Sequence, residues 1–172
     1  MSYKRLWILL EGSDDERFFE KIKPTLEKKF DSVHSWKYAQ EPPKGTRNFL
    51  KSIKAMKSAY FFWADINRMP CVTVKKDNVK RKYGASIEID NVIIVVKEIE
   101  SWYLTGLNQK ACREIGIRSF DNTDLITKED FDNLKPKRFD SRIDFMLEIL
   151  KRFDIETGKR KNKSFNYFMT KI

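Results

Sequence analysis

Acidic residues recur just behind apolar runs in this chain. Glu11 closes the run Leu6 to Leu10, Asp65 closes Ala59 to Ala64, and Glu98 and Glu100 follow Val92 to Val96. In a parallel sheet the carboxyl ends of the strands share one edge, where ligands bind. Carboxylates gathered there repel one another, and a hard divalent cation such as Mg²⁺ or Mn²⁺, with its preference for oxygen ligands, offsets that repulsion. Such an ion takes one or two carboxylates, keeps several waters and completes its shell with substrate phosphate. There is also a plainer account. Polar residues end strands because the chain is leaving the core, and Glu11, like Asp14 and Asp15, is favourable beside a helix N-terminus. For any single acid the plainer account is the better one. Acids at the same position on three strands favour the metal.

The elements that would position these acids are legible. A short, wholly apolar run bounded by turn signals is the pattern of a strand buried on both faces. Leu6 to Leu10, Ala59 to Ala64 and Val92 to Val96 fit it, and Val33 to Ala39 is a further strand by alternation. Ser13 and Glu16 have capping-box spacing, and Phe18, Ile22, Leu26 and Phe30 recur every fourth residue, which predicts a helix behind the first strand. Glu41 to Gly45 reads as a loop, with Thr46 capping a helix that carries Phe49, Leu50, Ile53 and Met56. Ser141 to Phe153 is helical by spacing, Gly158 to Lys163 reads as a basic loop, and Ser164 opens a closing helix. Buried strands alternating with amphipathic helices predict an α/β fold of the doubly wound, Rossmann-like type. Its mostly parallel central sheet has about four strands and helices on both faces, and a helical C-terminal extension follows. The expected organisation is one domain over 1–172, with the core sheet in 1–108 and the helical extension in 109–172.

Composition narrows the chemistry. The 172 residues carry a net charge of +10, which points to an anionic partner, DNA or RNA ahead of a membrane surface. Lys75, Lys76, Lys80, Arg81 and Lys82 form either a phosphate-tracking patch beside Asp65 or a solvated helix face. His34 is the only histidine, which argues against His-based zinc sites and against Ser-His-Asp or Cys-His catalysis. Cys71 and Cys112 lack metal or redox spacing, so a reducing compartment, the cytoplasm, is expected. No stretch approaches the roughly 20 apolar residues of a membrane span. The apolar run near the N-terminus is too short for a signal peptide.

Four segments of the chain resemble the Toprim domains of the overcoming-lysogenization-defect (OLD) nuclease family and of small stand-alone relatives. Leu9-Leu10-Glu11-Gly12-Ser13-Asp14-Asp15 is similar to the first Toprim motif, and Phe62-Trp63-Ala64-Asp65-Ile66-Asn67 to the second. Glu100-Ser101-Trp102-Tyr103-Leu104 and the ending Asn162-Lys163-Ser164-Phe165 with Phe168 resemble later segments of the same group. The likeness runs from residue 5 to 172 through short motifs. It implies metal-dependent phosphodiester hydrolysis, in a setting such as phage defence or DNA repair. Glu11 would then be a metal ligand or general acid/base, and Asp65 a metal ligand. Glu100, or alternatively Glu98, would be a second-site ligand or would orient water. Lys161 or Lys163 would approach the scissile phosphate. One departure is that Asn67 stands where the second acid of Asp-x-Asp is expected, which keeps an oxygen and removes a charge.

Three functions follow as expectations: a Mg²⁺- or Mn²⁺-dependent nuclease, a nucleic-acid-binding module that does not cut, and a partner subunit of an ATPase supplied in trans. The third arises because OLD-type domains are coupled to ATPases and this chain has no G-x-x-x-x-G-K-[ST] loop. A phosphatase acting on small phosphate esters is a further alternative.

Overall fold

Arg5–Leu10 forms β1, the strand that organises the sheet. Its apolar residues Leu6, Ile8, Leu9 and Leu10 are fully buried, as expected of a parallel strand covered on both faces. A computed structural model of the chain describes residues 4–172. It shows an α/β protein with a four-stranded parallel sheet in the order β2-β1-β3-β4. The flanking strands are β2 (Ser32–Lys37), β3 (Ala59–Asp65) and β4 (Val92–Val95). β1 pairs in parallel with β2, with Leu9 opposite Trp36, and in parallel with β3, with Leu9 opposite Phe62. Among the described residues no helix is long and apolar enough to cross a membrane.

The chain divides into two compact units, one ending at Ile94 and including Ile172, the other Val95–Lys171. In the first, side chains alternate between the two faces of the sheet. Leu9, Phe62, Ala64 and Ile94 share one core cluster with Leu50 and Ile53 of helix α2 (Pro43–Ala55) and Val79 and Tyr83 of helix α3 (Val72–Tyr83). Trp63 faces the other way and meets Phe18 of helix α1 (Ser13–Leu26), ring centroids 6.4 Å apart. So α1 covers one face and α2 with α3 the other.

Local chemistry moves several boundaries from where the pattern predicts them. The residue before α1 is Gly12, not Ser13, and the carboxylate that reaches back to its N–H is that of Asp15, at 3.2 Å. Glu16, expected in that role, instead binds Lys37 at 2.8 Å. The predicted loop Glu41 to Gly45 is half helix, because α2 starts at Pro43. Proline at the first helical position loses no hydrogen bond, since its missing N–H is one of the unpaired ones there. β2 stops at Lys37, and Tyr38–Gln40 turn into a short 3₁₀ segment.

The second unit is helical: α4 (Glu100–Thr105), α5 (Gln109–Ile115), α6 (Lys128–Leu134), α7 (Arg142–Lys151), α8 (Ile155–Lys161) and α9 (Lys163–Lys171). α4 packs against α6, α7 and α8. Its Trp102 lies 5.3 Å from Phe165, and its Tyr103 lies 5.9 Å from Phe131. Because of this packing α4 belongs with the C-terminal helices rather than with a segment ending at residue 108. The predicted basic loop is largely α8, capped by Asp154, whose carboxylate accepts from the Thr157 N–H at 2.7 Å.

Candidate metal centre and its surroundings

Glu11 and Asp65 leave neighbouring strands at the same edge of the first unit. Continuing the register beyond Leu9–Phe62 sets Glu11 beside Ala64, one residue short of Asp65. Both side chains are partly exposed at this edge.

A buried phenol lies within the field of these acids. Tyr38 is buried, and its hydroxyl donates to the Trp63 carbonyl at 3.0 Å. Burial pushes its pKa well above the ordinary tyrosine value, and the negative charges of Glu11, Asp15 and Asp65 push it further. A phenol resists ionising where desolvation and nearby anions both disfavour its charged form. Three carboxylates therefore act on one buried hydroxyl. Sequence reasoning left Tyr38 unassigned and gave Asp15 only a helix-end role. Asp15 is 6% exposed, and its bond to Gly12 ties it to the turn directly behind Glu11. The signal for Tyr38 was its place at the end of an alternating strand beside the acidic edge.

Asn67 is exposed and adopts a left-handed backbone, φ +54°. Asparagine tolerates that region better than most residues, because its short side chain can hydrogen-bond locally. Its presence thus has a conformational reason in addition to any ligand role.

Among the described residues no group of three or more His, Cys, Asp or Glu side chains is arranged to hold a metal ion. Glu11 and Asp65 remain as a pair of oxygen donors at one edge. That donor set suits an ion that takes one or two carboxylates and fills its shell with water and phosphate, rather than a dedicated protein cage.

The other predicted acids lie in the second unit and have partners there. Glu98 accepts a hydrogen bond from the Lys128 N–H at 2.7 Å. Glu100 is 4% exposed and ion-paired with Arg142, which also binds Asp132 at 2.6 Å. The two candidate lysines also differ. Lys161 donates from its ammonium to the Leu107 carbonyl, 2.6 Å away, in the link between α4 and α5. Lys163 has an 89% exposed side chain, with only a 4.0 Å approach to Asp124.

Lys163 is nonetheless held at its backbone, where its N–H donates to Asp124 at 2.8 Å. The neighbouring Asn162 is buried; its amide oxygen accepts from Ser164 Oγ at 2.8 Å and from the Phe165 N–H at 3.0 Å. Ser164 Oγ in turn accepts from Trp102 Nε1 at 2.8 Å. The segments Glu100-Ser101-Trp102 and Asn162-Lys163-Ser164, some sixty residues apart in sequence, are thus joined by one buried polar network.

Lys75, Lys76, Lys80, Arg81 and Lys82 all fall on α3. Lys80 donates to the Ile87 carbonyl at 2.6 Å, and Lys82 lies over the Tyr83 ring, while Arg81 is exposed.

No protein-family model, curated protein or solved structure matches the chain.

Proposed function

We propose that this chain hydrolyses phosphodiester bonds of nucleic acid with the help of Mg²⁺ or Mn²⁺. The observation that carries the reading is that Glu11 follows β1 and Asp65 ends β3, adjacent parallel strands, at one edge of the sheet. The Toprim resemblance of the two motifs supports it. Glu11 and Asp65 would hold the ion, and Asn67 would offer a neutral oxygen nearby in the chain. When bound, a divalent ion supplies Lewis-acid polarisation of a phosphoryl oxygen. Glu11, the more proximal to the Gly12 turn, also moves the proton between the attacking water and solvent. Asp15 and Tyr38 keep the edge rigid: one braces the Gly12 turn, the other holds the end of β3 at the Trp63 carbonyl. Lys163, in the second unit, has an exposed side chain and is given no role at this edge. Glu100 is assigned to anchoring α7 through Arg142.

The experiment is cleavage of labelled DNA and RNA with Mg²⁺ or Mn²⁺, with and without EDTA, by wild type and by Asp65→Asn. Cleavage that EDTA stops and Asp65→Asn loses supports the reading. Cleavage surviving in Asp65→Asn excludes this site. A second reading, a module that binds nucleic acid without cutting it, is favoured by Asn67, which leaves the second motif one charge short. Under that reading no metal restores cleavage.

A further inference from the structure

The two faces of the sheet in the first unit differ sharply in charge. α1, on one face, carries four acids and three cations. α2, on the other, carries four cations and no acid, and its neighbour α3 carries five cations and one acid. A chain that is merely lysine-rich would spread this excess over both faces.

Helical spacing gathers the charges further. Lys44, Arg47, Lys51 and Lys54 stand at i, i+3, i+7 and i+10, which places them on one stripe of α2. Arg47 donates to the Lys82 carbonyl at 3.2 Å, so the stripe lies on the flank of α2 beside α3. Lys75 and Lys82, seven apart, share one flank of α3, and Lys80, bonded to Ile87, lies on another. The Arg47 contact puts the Lys75–Lys82 flank next to α2. The result is a band of six cations running along two packed helices. Two acids outside the helices flank the band: Glu88, 3.1 Å from Lys54, and Glu41, whose carboxylate lies beside Gly45.

We infer that this α2–α3 band is a docking surface for the sugar-phosphate backbone of nucleic acid. Lys44 to Lys54 covers ten residues, roughly 15 Å of helix axis, or about four to five base pairs of duplex. The band carries side chains for phosphates and no array of base-reading groups, so it positions the substrate without choosing its sequence. Both helices also start from the carboxyl edge of the sheet, the edge where β1 and β3 end in Glu11 and Asp65. A backbone lying along the band is therefore led toward the proposed metal pair. The inference rests on the nucleic-acid reading for the identity of the polyanion, and on charge and packing for the surface.

The test is fluorescence anisotropy of the full chain with labelled duplex DNA, duplex RNA and single strands over a range of salt. Lys44→Glu/Lys51→Glu is compared with Lys28→Glu/Lys29→Glu, an equal charge change on exposed residues just beyond α1. Circular dichroism checks that both fold, and Lys44→Gln/Lys51→Gln gives a milder step in the same direction. The α2 pair is expected to weaken binding roughly tenfold or more and to lower the salt slope by about two, one phosphate contact per lysine. Equal loss in both pairs overturns the inference, as does binding to phosphatidylserine vesicles with none to nucleic acid. Wild type that binds through the band yet never cleaves leaves the surface standing and removes the nuclease. Wild type that cleaves while the α2 pair behaves like the control does the reverse.

Discussion

The Tyr38 hydroxyl donates to the Trp63 carbonyl at 3.0 Å, tying the turn after edge strand β2 to β3 two residues before Asp65. The bond skips over β1 in the sheet order, so it braces the edge from which Glu11 and Asp65 emerge.

Tyr38→Phe keeps the ring stacked on Phe62 and removes this bond. The expected loss is about 1 kcal/mol, the worth of a neutral hydrogen bond, read by urea denaturation. The variant also tests the raised pKa. Below about pH 10 the phenol keeps its proton in both folded and unfolded states, and its contribution to stability is fully present. That contribution falls as pH rises from there through the higher folded-state value. Wild type is expected to lose stability on this alkaline limb more steeply than Tyr38→Phe. Parallel limbs would show that Tyr38 is not held in its neutral form.

At the acidic edge, apo protein bears like charges that repel. Asp65→Asn is expected to raise the melting temperature slightly without metal, and to abolish most of the stabilisation that Mn²⁺ gives wild type. Asn67→Asp adds a carboxylate at a position whose left-handed backbone aspartate also tolerates. It is expected to tighten Mn²⁺ binding in calorimetry. No change in affinity would remove residue 67 from the ligand set.

Removing Arg142 leaves Glu100 buried without its guanidinium. Arg142→Ala is expected to cost about 3 kcal/mol, the low end for breaking a buried pair, because Arg142 is itself a quarter exposed. Glu100→Gln costs less, since the amide still accepts a hydrogen bond from Arg142. Neither substitution is expected to change Mn²⁺ affinity. A large drop in that affinity for Glu100→Gln would make Glu100 a ligand instead of an anchor.

Ser164→Ala withdraws an acceptor from two donors at once, Trp102 Nε1 and the Val96 N–H. Each buried donor left unpaired costs about 1–3 kcal/mol. The loss is expected to exceed that of Tyr38→Phe in the same denaturation assay. Ser164→Thr, which retains the hydroxyl, is expected to recover part of it. A loss within experimental error would mean that Trp102 finds another acceptor.

Much of the fold was legible because its signals are local. A strand buried on both faces must be apolar throughout, so β1, β3 and β4 stand out as runs, and the every-fourth-residue stripe of α1 is equally plain. The misplaced boundaries come from competition between equivalent local groups. Asp15 and Glu16 could each reach back to cap α1, and which one succeeds depends on Lys37 arriving from another strand to take Glu16. Prolines 42 and 43 signal a loop and a helix start equally well. α8 was hidden because its cations read as a solvated loop until the Thr157–Asp154 cap is seen.

By itself the sequence determined the parallel α/β architecture, the strand-end positions of Glu11 and Asp65, and the basic character of the chain. Hydrophobic periodicity and charge are properties of segments and survive without coordinates. Only the tertiary structure decided which ionisable groups keep company. It set Tyr38 within the field of the acids, gave Glu100 to Arg142, tied Lys161 to the Leu107 carbonyl while leaving Lys163 in water, and laid α2 beside α3. Such pairings join residues tens of positions apart, and Coulombic and hydrogen-bond energies fall off over a few ångströms. They exist only once the backbone has brought the partners together.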